Sequence, residues 1–180
     1  MSIKAYQTMK YIGSCDDCFD LAPILSNSQV LQWVLKEGYY FWPKSLDNAH
    51  FWGKSHYQGR YIVVDYNLEL NEDDIFDLVG DPEHLDDFKE ILKAYISITE
   101  KTQKDVFVYQ VIEHMIFKYP QFFTFLAIKV ENLPGFKSST NKIKFSNVDS
   151  MFLNKRIQIC LLKKAENKII KNEIIYKTEE

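Results

Sequence analysis

A cysteine pair, four histidines, a run of acids and a run of rings are the places where this sequence has chemistry to offer. Cys15-Asp16-Asp17-Cys18 has the spacing of a redox pair or of half a zinc site. Two carboxylates between the thiols disfavour a further negative charge, so a reactive thiolate is not expected. Cys160, His50, His56, His84 and His114 are scattered and supply no second ligand pair. The reading is ordinary buried cysteines and no metal. His50 and His56 sit six apart on one predicted helix, on different faces, whereas a metal pair needs i, i+4. His84 falls in an acidic helix start and His114 among apolar residues, and both read as structural. The acids from Glu69 to Asp87 lack the turn glycine and the closing Glu of a calcium loop, so they read as a solvated helix entry. No G-x-S-x-G, phosphate-binding G-x-x-x-x-G-K-[ST] or G-x-G-x-x-G occurs.

The run of rings is the most unusual segment. Gly38-Tyr39-Tyr40-Phe41-Trp42 places four aromatic side chains in sequence. Strand side chains alternate, so at least two of them point away from any one core. Either both faces of the sheet are covered there, or rings beside a glycine line a cleft suited to a planar ligand such as a nucleobase or nicotinamide.

The elements that must position these residues follow from patterning. Residues 3–12 read as a first strand with imperfect alternation, and an acidic start with Pro23 near its end marks a short helix in 16–25. Residues 28–37 carry a helical stripe closed by Gly38. The aromatic strand 39–42 stops at Pro43. Ser45 caps a helix to about residue 56, and 60–68 has the composition of a buried strand. Residues 75–79 read as a short strand or turn. Asp81-Pro82-Glu83 opens a helix to about residue 100, and a further helix covers 104–118. Strands follow at 122–130, 156–163 and 168–176, the last two joined by a connection of hairpin length, Lys164 to Asn167. Residues 131–153 read as one long loop. Strands and helices do not alternate regularly, so the expected class is α+β, with a single domain over residues 1–180.

Composition bounds the function. Apolar residues make up 46% of the 180, enough for a core, and the net charge of −3 removes the overall basic bias of a nucleic-acid binder. Charge is uneven, acidic over 65–90 and Lys-rich over 137–177, and the latter reads as a solvated strand surface. No run reaches the ~18 apolar residues of a membrane span. Met1 to Lys10 lack an export-signal pattern, and three cysteines fit a reducing compartment. A cytoplasmic protein without membrane contact is therefore expected.

Three segments in order resemble the bacterial ADP-ribosyltransferase-like family, whose motifs read Tyr-His-Gly-Ser/Thr, then a Gly-x-Tyr-Phe-Trp-like strand followed by a helix with Ala and Trp-Gly, then Ile-Gln-Ile-Cys. Here they are Tyr11-Ile12-Gly13-Ser14, Gly38-Tyr39-Tyr40-Phe41-Trp42 with Ala49-His50-Phe51-Trp52-Gly53, and Ile157-Gln158-Ile159-Cys160. The resemblance implies a split mixed or antiparallel sheet with flanking helices, clamping NAD as substrate, and an acceptor that is a protein or nucleic acid. It implies that Tyr11, Gly13, Ser14, Tyr40 and Trp52 contact NAD, and that Tyr40 and Gln158 carry catalysis. Gly13 would hold the carboxamide, Tyr40 would stack on the nicotinamide, and Gln158 would bond a ribose hydroxyl or position the acceptor where many relatives use Glu. The family's first-motif His is matched by Ile12, which can neither donate nor accept. A ligand group left unpaired there costs ~1–3 kcal/mol. Three readings follow: a transferase, a non-catalytic relative that binds a nucleotide or a protein, and an unrelated α+β interaction domain.

Overall fold

The computed structural model describes residues 1–26, 34–132, 142–144, 150–152 and 155–178. Among them the strands are β1 (Ser2–Lys10), β2 (Leu25–Ser26), β3 (Gly38–Pro43), β4 (Tyr61–Glu69) and β5 (Ile75–Asp77). After these come β6 (Ala127–Glu131), β7 (Lys142–Lys144), β8 (Ser150–Phe152), β9 (Ile157–Leu162) and β10 (Ile169–Lys177). The helices are α1 (Cys15–Leu21), α2 (Leu46–His56), α3 (Pro82–Thr99) and α4 (Val108–Lys118). The class is α+β, as the irregular element order predicts.

One mixed sheet runs in the order β10-β4-β1-β3-β9-β6-β5. All its neighbours are antiparallel except β5 and β6. β1 and β4 pair along their whole length, from Ser2↔Glu69 to Lys10↔Tyr61. By contrast β1 meets β3 at only two positions, Ala5↔Pro43 and Tyr6↔Trp42. Beyond that point the strands part, and β2 takes the vacated edge of β3 through Leu25↔Tyr39 and Ser26↔Gly38. The sheet is thus two wings joined along a short seam.

Helix starts follow the capping chemistry in the sequence. Ser14, Ser45 and Asp81 each accept from backbone N–H groups of the first turn of α1, α2 and α3. On one side of the sheet, α1 packs Cys18 and Phe19 onto Ile3, Phe41, Val64, Tyr66 and Ile159. The other side divides. Ala49 of α2 packs with Trp42, Tyr61 and Val63, and Ile112 and Met115 of α4 pack with Phe76, Ile128 and Cys160. Gly53 lets α2 approach the sheet, since a methyl there would overlap the Tyr61 ring. No described helix is long and apolar enough to cross a membrane.

Several expectations are corrected. The hairpin expected through Lys164 to Asn167 does not form. Both edges of β9 are taken by β3 and β6, so β10 crosses over a 3-10 turn, Lys163–Lys168, to pair with β4. The strand expected from residue 122 begins at Ala127, because 119–125 is a turn that leaves Phe122 exposed. Most of the helix expected over 28–37 lies outside the described residues, and its described tail from Val34 is not helical. The long segment 131–153 includes the strand pair β7–β8, and the rest of it lies largely outside the described residues.

Candidate functional site

β3 is the place to start, because alternation decides the fate of its four rings. Tyr39 and Phe41 enter the core on the α1 side. Tyr40 packs with Cys160 on the opposite side, and Trp42 goes under α2. Tyr39, Phe41 and Trp42 keep no more than 4% of their surface exposed. Both faces of the sheet are covered here, the first of the two arrangements the alternation allows.

Tyr40 is half-buried and its hydroxyl closes on the chain just before it. It donates to the Leu35 carbonyl at 2.8 Å and accepts from the Leu35 N–H at 2.9 Å. Burial pushes its phenol well up, with the neighbouring Cys160 adding to that. Burial likewise raises the Tyr39 phenol to about 12, with Glu166 adding to it, and the Cys160 thiol well above its ordinary range. All three stay neutral near pH 7, and none is an activated nucleophile.

Gln158 is 4% exposed and accepts from Asn132 Nδ2 at 3.2 Å. Carrying the β3–β9 register one residue past Phe41↔Ile159 sets it beside Trp42, on the same face as Tyr40. Trp52, on α2, stacks on His56 at 3.5 Å and tilts against Trp42 at 6.0 Å. So Tyr40, Gln158 and Trp52 share one side of the sheet.

The first-motif residues do not join them. Tyr11 packs on the α1 side and donates to the Gly13 carbonyl at 2.6 Å. Gly13 is exposed with φ 123°, and Ser14 is occupied as the α1 cap, bonded to the Asp17 N–H and carboxylate. Gln158 lies level with Tyr6, and Lys10 is already four residues further along β1, roughly 13 Å at ~3.3 Å per residue. Gly13 and Ser14 lie past that and lead into α1, which packs on the side of the sheet opposite Tyr40. The contacts that the resemblance implies are thus divided between the two sides of the sheet, Tyr11 on one and Tyr40 and Trp52 on the other.

The polar residue that β1 does turn toward β3 is Gln7, which the sequence reading passed over. It is 6% exposed. Its amide nitrogen donates to the Ile24 carbonyl at 3.0 Å and the Tyr40 carbonyl at 3.4 Å, and its oxygen accepts from the Ile24 N–H at 2.7 Å. It therefore spans the gap where β1 and β3 part. The signal was present in sequence: Ile3, Ala5, Gln7 and Met9 alternate toward one core, and Gln7 breaks an otherwise apolar row. Thr8, on the other face, donates to the Ala49 carbonyl at 2.8 Å, and Asn48 donates to the Lys155 carbonyl at 3.4 Å. Arg156 lies over the Phe51 ring at 3.6 Å. These contacts hold the start of α2 to β1 and to the chain entering β9.

The remaining candidates are structural. Cys15, Cys18 and Cys160 are free thiols, with Cys18 buried and accepting from the Ile12 N–H at 3.4 Å. His50 Nδ1 pairs with the Tyr61 hydroxyl at 3.0 Å, and burial, then Lys54, lowers its pKa. His84 Nδ1 accepts from the Asp77 N–H at 3.1 Å, and His114 packs between Tyr95 and Tyr119. No protein-family model, curated protein or solved structure matches this chain.

Proposed function

We propose that this chain is a non-catalytic ADP-ribosyltransferase-like module, a binding domain that does not turn NAD over. The resemblance draws on three segments far apart in sequence, and β1, β3 and β9 are neighbours at the centre of the sheet. That adjacency supports the family reading. The observation that carries the loss of turnover is the commitment of the two glutamines flanking β3. Gln158 is uncharged, buried and bonded to Asn132, where a carboxylate would stabilise an oxocarbenium-like state. Gln7 fills the gap between β1 and β3 with three hydrogen bonds, which a nicotinamide entering there would have to replace.

The transferase remains a second reading, because Tyr40, Gln158 and Trp52 do share one side of the sheet. Release of nicotinamide from NAD, read by chromatography with the purified chain, separates the two. The binding-module reading expects no release above the uncatalysed rate, with or without added protein or nucleic acid. Turnover that disappears in Gln158→Ala would install the transferase reading instead.

A further inference from the structure

A second part of the molecule has unspent recognition chemistry. Between α3 and the 119–125 turn lies a pocket of about 330 Å³, within the size range of small-molecule sites. Its floor is made of rings. Phe76, Phe123 and Phe125 meet at centroid separations of 5.7, 5.1 and 5.4 Å, tilted or edge-on to one another. Tyr119 and Phe122 extend the wall, and Phe122 is 74% exposed at the mouth. An exposed ring beside a concave aromatic floor is poorly explained by folding alone, because burying it would be favourable.

The opposite wall is acidic. Asp87, Glu90 and Ile91 stand at i, i+3 and i+4 on α3, so they share one face, and all three line the pocket. One step around the helix, Asp86 is paired with Lys89 at 2.8 Å. Neither Asp87 nor Glu90 has a cationic partner among the described residues. Aromatic faces carry negative potential and attract ammonium groups, and two adjacent carboxylates reinforce that preference. The same charges repel phosphates, so the pocket is unsuited to a nucleotide and its ligand is independent of the reading above.

We propose that this pocket binds a small organic cation, an ammonium group carried on an apolar or aromatic body. The ammonium sits between Asp87 and Glu90. The body lies against Phe76, Phe123 and Phe125, with Phe122 closing over it.

The probe is 2-phenylethylammonium, with 2-phenylethanol as its uncharged counterpart, titrated into the full chain by calorimetry at low salt. The expected result is saturable binding of the ammonium at about tenfold higher affinity than the alcohol. The Asp87→Asn, Glu90→Gln double variant should lose about tenfold in ammonium affinity and leave the alcohol unchanged. Both positions are exposed, so thermal unfolding of the double variant should match the parent, and Phe122→Ala offers an independent loss of affinity. Equal affinity for ammonium and alcohol would overturn the proposal in favour of an unselective apolar groove. So would absence of ammonium binding at about 10 mM, or binding indifferent to the double variant. Acetyl-lysine amide, whose side-chain amine is free, binding as tightly as 2-phenylethylammonium would assign the pocket to a peptide lysine and overturn the small-molecule assignment.

Discussion

Around β3 the polar side chains are spent on the fold, while on the Asp87–Glu90 face of α3 they are not. Gln7 makes three hydrogen bonds, Gln158 pairs with Asn132 and the Tyr40 hydroxyl both donates and accepts. α3 runs for 18 residues without one buried side chain, and Asp87 and Glu90 lean over an open aromatic floor. Groups satisfied internally are poor at recognising a newcomer, because each new bond replaces an existing one. Groups still facing solvent give up only water. The difference teaches where to look for a ligand: a segment rich in chemistry by residue type can be occupied by its own architecture.

Substitutions can break this contrast, beginning with the largest effect. Phe41→Ala opens a cavity at a fully buried position, beside the edge-on Tyr66 ring at 5.0 Å. It should cost ~3–5 kcal/mol and lower the unfolding midpoint by roughly 10 °C in calorimetry. A loss under ~1 kcal/mol would mean that the β3 rings are not the packed centre described here. Gln7→Leu keeps the bulk and leaves the Ile24 N–H and carbonyl without their partner. We expect ~1–3 kcal/mol in urea unfolding and faster hydrogen exchange at the Ile24 amide.

Asp77 tests a polar group between the two regions. Burial alone would push its carboxyl up, but the Lys129 ammonium at 2.7 Å and the N–H groups of Gly80 and Val79 outweigh that and hold it below 3.8. A depressed carboxylate contributes stability that is fully present above its unfolded value of 3.8 and lost as pH falls through the lower folded value. Asp77→Asn should therefore flatten the stability profile below pH 3.8, by no more than about 1 kcal/mol, since the pair is partly exposed. Urea midpoints of parent and variant across that range read it directly. The smallest effect belongs to the flank: Phe117→Ala, 78% exposed, should change stability by no more than ~0.5 kcal/mol.

How much of this was legible in the sequence depends on how local the cause is. Ser45, Gly59 and the Tyr-Ile-Val-Val run mark α2 and β4, because caps, turns and buried strands are written in neighbouring residues. Asp81-Pro82 likewise placed the start of α3. The destination of β10 was not legible. A short connection suggests a hairpin, and only the prior claims of β3 and β6 on β9 forbid it. The candidate site was legible in part. The sequence drew attention to Tyr40, Gln158 and Trp52, which share a side of the sheet, and grouped them with Tyr11, which packs on the other. Register, which no single segment encodes, decides that question. The pocket under α3 escaped notice because Asp87 and Phe123 are unremarkable singly and meet only through the fold.

β10 carries one more consequence. It is the last strand of the sheet on the β4 side, and its pairing slips between Lys171 and Ile174 and again between Ile174 and Tyr176. Lys171 leans inward to the carbonyls of Phe19 and Ala22, ending the strand's regular presentation of side chains. An edge broken in this way is a poor template for a stranger's strand. The chain should therefore resist fibre formation at high concentration, and straightening that edge would remove the protection.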